Sequence, residues 1–132
     1  IDISGFSSVT SIGSNFLSHL YDSVFQSGLT EVNLDVFTNV ETIGDNFLWG
    51  CEALEEVDMS KMKSLTYIGD SFLRLCPALD TLFVPLPKEE NDVPQLYSWG
   101  LETLNIANIY CGTWLNQYKV APVWSQKADL MS

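Results

Sequence analysis

The sequence predicts an α/β solenoid, with parallel strands along one side and short helical turns on the others. Three observations carry the prediction. The stretch Ile43-Gly44-Asp45-Asn46-Phe47-Leu48-Trp49-Gly50-Cys51 returns further on as Ile68-Gly69-Asp70-Ser71-Phe72-Leu73-Arg74-Leu75-Cys76, and a shorter version, Ile12-Gly13-Ser14-Asn15-Phe16-Leu17, precedes both. Before each Ile-Gly, apolar residues recur at intervals of three: Ile3, Phe6, Val9 and Ile12, then Leu34, Phe37, Val40 and Ile43, then Met59, Met62, Leu65 and Ile68. Finally, Leu29-x-x-Val32-x-Leu34, Leu54-x-x-Val57-x-Met59 and Leu79-x-x-Leu82-x-Val84 repeat at one constant interval, the same that separates Ile43 from Ile68. Units this small cannot bury an apolar face alone and do so only against their neighbours.

The length of 132 residues suits one domain. Its expected parts are repeats over residues 3–84, a loop over 85–96, and a C-terminal strand with a helical cap over 97–132. Acidic side chains outnumber basic ones 17 to 6, giving a formal charge of −11. Such a field repels phosphate backbones and anionic lipid heads, which argues against nucleic-acid and membrane-surface binding. No apolar run is long enough to span a bilayer, and neither a signal peptide nor a starting methionine is present.

In the strands, alternation places Val32 and Leu34, Val57 and Met59, and Leu82 and Val84 inward. Glu31 and Asn33, Glu56 and Asp58, and Thr81 and Phe83 then face outward in two columns. Ser4, Asp35 and Ser60 follow the strands, and Ser14, Asp45 and Asp70 follow the Ile-Gly pairs. All six are good helix N-caps, which predicts two short helical turns per coil. Phe47, Leu48, Cys51 and Leu54 have the spacing of a helical turn packed on the strand layer. Gly13, Gly44 and Gly69 mark the corner between the turns, where a positive φ or a close backbone approach excludes a Cβ.

The first unit is longer by six residues, since Leu17 to Leu29 spans 12 positions where Leu48 to Leu54 spans 6, and the excess falls within residues 19–26. This predicts an enlarged turn or a longer helix serving as an N-terminal cap. Ile3 is in phase with the last residue of a strand, so either further repeats precede it or a raw end is exposed. From Pro85 the period fails. Three prolines and a run of charged residues predict a loop with no face to bury. Leu101-Glu102-Thr103-Leu104-Asn105-Ile106 imitates the strand signature and predicts one more strand within residues 103–110. Residues 113–119 and 124–131 read as two amphipathic helices separated by Pro122, their large aromatics forming a lid over the last coil.

The unit Ile-Gly-x-x-Phe-Leu-x-x-Cys-x-x-Leu-x-x-Val-x-Leu, read from Ile43 to Met59 and from Ile68 to Val84, resembles the repeat of the BspA-like leucine-rich repeat family, cell-surface proteins of bacteria and some protists. The ending Ile109-Tyr110-Cys111-Gly112, Tyr118-Lys119, Trp124-Ser125 and Ala128-Asp129 is similar to the closing segment that follows the last repeat in bacterial members. The chain departs from the pattern at Leu20, where the other units have cysteine, and at Cys111-Gly112, where the family often has valine-proline. The resemblance implies a right-handed leucine-rich repeat solenoid and a secreted or surface-anchored protein used in adhesion, with no catalytic residues to carry over.

No constellation points to catalysis or a cofactor. His19 is the only histidine, and neither Cys51 nor Cys76 has another ligand at zinc-site spacing. The two cysteines share a repeat position that suits buried free thiols, with a ladder disulfide the alternative. Glu31, Glu56 and Asp58 read as a solvated face, with calcium binding or acid-base chemistry the rival readings. Trp49 and Tyr67 occupy positions held elsewhere by polar residues, which predicts exposed aromatics. The expected binding residues are therefore Glu31, Asn33, Glu56, Asp58, Thr81, Phe83, Tyr67 and Trp49. The expected function is a non-catalytic module recognising a host or matrix protein, or a glycan, at a cell surface. The alternative is a structural spacer in a longer surface array, with end-to-end self-association as a further mode of contact.

Overall fold

The computed structural model describes residues 4–18, 29–89, 92–97 and 106–132. Its strands are β1 (Ser11–Ile12), β2 (Glu31–Asn33), β3 (Thr42–Ile43), β4 (Glu56–Asp58), β5 (Tyr67–Ile68), β6 (Thr81–Phe83), β7 (Gln95–Leu96) and β8 (Asn108–Tyr110). The chain alternates between two four-stranded parallel sheets, ordered β1-β3-β5-β7 and β2-β4-β6-β8. Each pass adds one strand to each sheet, an α/β arrangement compatible with a repeat solenoid. Val32, Val57, Leu82 and Ile109 lie in register on the even sheet, and Ile12, Ile43, Ile68 and Leu96 on the odd one. All eight point into a single core.

The odd sheet replaces helical structure that the sequence led us to expect. Its strands are two residues long, too short for alternation to register, while apolar residues spaced by three imitate a helix. The arcs that follow are turns. Asn15 and Leu17, Asn46 and Leu48, and Ser71 and Leu73 all have positive φ, a left-handed conformation that no right-handed helical turn accommodates. The buried leucines are held there by their neighbours: the amide of Leu48 donates to the Phe16 carbonyl at 2.9 Å, and that of Leu73 to the Phe47 carbonyl at 3.0 Å.

The expected caps are redistributed. Asn33 Oδ1 accepts from the Asp35 amide at 2.8 Å, and Asp58 Oδ1 from the Ser60 amide at 2.9 Å and its hydroxyl at 2.6 Å. Here the last strand residue closes the turn in place of the residue two further on. Ser14 and Asp45 act between coils instead, Ser14 Oγ accepting from the Asp45 amide at 3.3 Å and Asp45 Oδ1 from the Asp70 amide at 2.9 Å. Gly44 and Gly69 answer to close approach, not to positive φ, while Gly13 shows neither among the described residues. A Cβ on Gly44 would lie 2.6 Å from the Ser14 nitrogen, and one on Gly69 2.7 Å from the Gly44 carbonyl carbon.

Phe16, Phe47 and Phe72 stack along the core, with centroids 5.7 and 5.8 Å apart. Trp124 extends the file edge-on at 6.2 Å, and Tyr118 meets it at 5.1 Å. The C-terminal segment expected as a lid sets Trp124 and Tyr118 against this file, though only Leu115–Val120 (α1) is α-helical. Gly112–Trp114 and Trp124–Leu130 are 3₁₀, the latter broken at Lys127. The loop expected over 85–96 stops at β7, and its prolines do have a face to bury. Pro85, Pro87 and Pro94 are buried beneath the lid. Their carbonyls accept from Tyr118 Oη at 2.5 Å, Trp114 Nε1 at 2.8 Å and Trp124 Nε1 at 2.9 Å.

The strand sought within residues 103–110 is β8. Met131 forms a parallel bridge with Ile109, and the amides of Cys111 and Ser132 close the pairing, so the even sheet's last edge is covered. The expected enlargement over residues 19–26, including His19 and Leu20, and the strand phase of Ile3 lie outside the described residues.

Candidate binding face

The outer surface of the even sheet carries two straight columns, Glu31–Glu56–Thr81–Asn108 and Asn33–Asp58–Phe83–Tyr110, set by strand register. Side chains on neighbouring parallel strands sit about 4.8 Å apart. Carboxylates therefore occupy the β2 and β4 end, and aromatics the β6 and β8 end. Phe83 and Tyr110 stack with centroids 4.9 Å apart and ring planes 21° apart. Tyr110 is 40% exposed, and Phe83, one strand further in, is half-buried.

Six of the eight expected residues, Glu31, Asn33, Glu56, Asp58, Thr81 and Phe83, are thus brought together. The oxygens of Asn33 and Asp58 that close the turns are already engaged, but the Asp58 charge stays on the face. Among the described residues, Glu31, Glu56 and Asp58 take part in no ion pair.

Tyr67 and Trp49 do not join them. Tyr67 is on β5, in the other sheet, with Tyr97 one strand away at 6.5 Å between centroids. Trp49 lies in an arc, where the Arg74 guanidinium from the next coil sits 5.8 Å from its ring centroid. Both are half-buried, not exposed as expected, because the following coil supplies a covering side chain. The Trp49 indole nitrogen is buried and has no hydrogen-bond partner among the described residues.

Tyr110 and Asn108 were not singled out by sequence reasoning. The available signal was Ile109-Tyr110 itself, one apolar and one aromatic residue at strand spacing. The strand signature imitated at residues 101–106 drew the register away from it.

The cysteines are buried, free thiols. Cys51 Sγ donates to the Leu17 carbonyl at 3.3 Å and Cys76 Sγ to the Leu48 carbonyl at 3.1 Å. Contact with the Cys76 thiol, and then burial, push the Cys51 thiol above the ordinary cysteine range. The same contact with the Cys51 thiol pulls the Cys76 thiol below the ordinary cysteine range, against the effect of its burial. Both sulfurs are buried, without the access that nucleophilic chemistry requires. Among the described residues, no three His, Cys, Asp or Glu side chains are grouped to hold a metal ion, and no helix is long and apolar enough to cross a membrane.

No family model, curated protein or solved structure matches the chain.

Proposed function

We propose that the chain is a right-handed leucine-rich repeat solenoid of the BspA-like type, and that it serves as a non-catalytic binding module at a cell surface, recognising a host or matrix protein or a glycan. The reading rests chiefly on the stacked Phe83–Tyr110 pair. Two aromatic rings on the outer face contribute nothing to the core, and a stacked pair beside polar groups is a suitable platform for a partner. Coils provide the scaffold, and the outward columns provide the chemistry. A glycan array and a panel of extracellular-matrix proteins test it. A ligand should be captured by the native chain, lost on Phe83→Ala or Tyr110→Ala, and retained on Tyr67→Ala. Capture unaffected by Phe83→Ala and Tyr110→Ala would remove this face from the function.

A structural spacer is the second reading, and the surface beside β1 favours it. An apolar groove of about 190 Å³ there is lined by Phe6, Val9, Ser11, Ile12, Gly13, Phe16 and Phe37. Among the described residues, a Cβ on Gly13 would meet nothing within 4 Å, although the equivalent glycines are abutted by the preceding coil. This surface has the form that one coil presents to another. Concentration-dependent association in solution, weakened by Phe16→Asp, would support end-to-end contact, and binding screens without a hit would favour the spacer.

A further inference from the structure

Building on the even sheet as the binding face, we infer that its occupant is a cationic segment of a protein, with an arginine or lysine side chain lying over Phe83 and Tyr110 and its charge against Asp58 and Glu56. Register makes the arrangement. Asp58, Phe83 and Tyr110 are consecutive in one column, and Glu56 is two residues from Asp58 on the same outer face. A carboxylate and an aromatic ring one strand spacing apart satisfy both demands of a guanidinium, a π face within about 6 Å and a counter-charge beside it. The molecule already uses half of this chemistry elsewhere, where Arg74 covers Trp49.

Charge complementarity favours a cation over other occupants. Glu31 and Glu56 are directly paired in register, and like charges so placed repel. Among the described residues, no basic side chain relieves them. An incoming cation would do so, and the net charge of −11 adds attraction at long range. A neutral sugar would use the rings but leave the carboxylate end of the face unpaired, and an anionic one would be repelled.

The probe is a fluorescein-labelled synthetic peptide of alternating glycine and arginine, compared with the same peptide carrying citrulline, which keeps the shape and removes the charge. Fluorescence anisotropy should show saturable binding of the arginine peptide, with the citrulline peptide weaker by about tenfold or more. Phe83→Leu combined with Tyr110→Leu should raise Kd about three- to tenfold. Glu31→Gln with Glu56→Gln should do likewise. Asp92→Asn with Asp129→Asn removes the same charge from exposed positions off the face, and should change Kd less than about twofold.

Equal weakening by the two charge-neutralising pairs, or equal binding of the citrulline peptide, would overturn the inference. A neutral glycan captured through Phe83 and Tyr110, with the arginine peptide unbound, would overturn the cationic occupant while leaving the binding face intact. No capture of peptide, glycan or matrix protein would overturn both.

Discussion

Cys76 Sγ donates to the carbonyl oxygen of Leu48 at 3.1 Å, one coil back along the stack. Leu48 has φ of 55°, which turns its carbonyl out of any regular ladder. Cys51 makes the same bond to Leu17, whose φ is 51°. The cysteine of this repeat is therefore a donor for a buried carbonyl that a left-handed residue leaves behind, as well as a small apolar filler. A volume-matched residue without a donor should be worse than a smaller one that keeps it. Cys76→Val should cost about 1–3 kcal/mol by leaving the acceptor unsatisfied, and Cys76→Ser should cost less. Urea denaturation of the two variants checks the order. Valine as the better replacement would reduce the thiol to packing alone.

Gly44 and Gly13 occupy the same template position with opposite surroundings. The Gly44 Cβ site is 2.6 Å from the backbone nitrogen of Ser14, whereas nothing among the described residues lies within 4 Å of the Gly13 site. Backbone cannot move aside as a flexible side chain can. Gly44→Ala should destabilise by about 1–3 kcal/mol through overpacking, and Gly13→Ala should stay within about 0.5 kcal/mol. Thermal melts of both variants, at one protein concentration, give the comparison.

These two contrasts mark how far the fold was legible in the sequence. Positions such as Val32, Val57 and Leu82 were readable because a period-two strand pattern recurred at one constant interval along the chain. The odd sheet was not, since Thr42–Ile43 and Tyr67–Ile68 are too short to show alternation, and left-handed φ at Asn46 or Leu48 leaves no mark on composition. On the binding face, Glu31 to Phe83 followed from alternation alone. Tyr110 did not, because its strand falls outside the period that located the others. Local pattern finds what repeats; it does not see Tyr97 or Arg74 folding over Tyr67 or Trp49 from the next coil.

Tyr118 shows the same limit at the lid. Composition marked residues 85–94 as an unburied loop, yet the Tyr118 hydroxyl, itself buried, reaches the Pro85 carbonyl at 2.5 Å. A proline-rich segment offers few amides, so its carbonyls depend on donors from elsewhere. Tyr118→Phe keeps the ring against Trp124 and removes only the donor. A loss of about 1–3 kcal/mol is expected by denaturant titration, together with faster amide exchange in residues 86–89.

Alkaline pH should loosen the lid through Cys111. Burial pushes this thiol from 9.0 up to about 11, with the Lys119 charge pulling the other way. The folded pKa lies above the unfolded one, so its contribution is fully present below about pH 9 and is lost as pH rises through 11. Burial also pushes the Tyr118 phenol above the ordinary tyrosine range, which adds a loss at the upper end of the same window. Stability should therefore fall as pH rises from 9 to 11. Cys111→Ala should show a shallower fall across that window, after allowing for its lower baseline. Parallel slopes in the two proteins would clear Cys111 of any part in it.

Glu56 lets stability and binding be pulled in opposite directions. It faces Glu31 in register across β2 and β4, a pairing that costs the fold something. Glu56→Lys turns that repulsion into an attraction and should raise stability by about 0.2–1 kcal/mol. The same substitution places a cation beside Asp58, where the inferred arginine or lysine of the partner would rest. Peptide binding should then weaken by at least as much as with Glu31→Gln and Glu56→Gln together. A variant that melts higher and binds the arginine peptide less is the expected pair of results. Added salt should shrink both effects, because exposed charges are screened over about 10 Å at 0.1 M ionic strength. A gain in stability with undiminished peptide binding would mean that the acidic end of the sheet carries no part of the recognition.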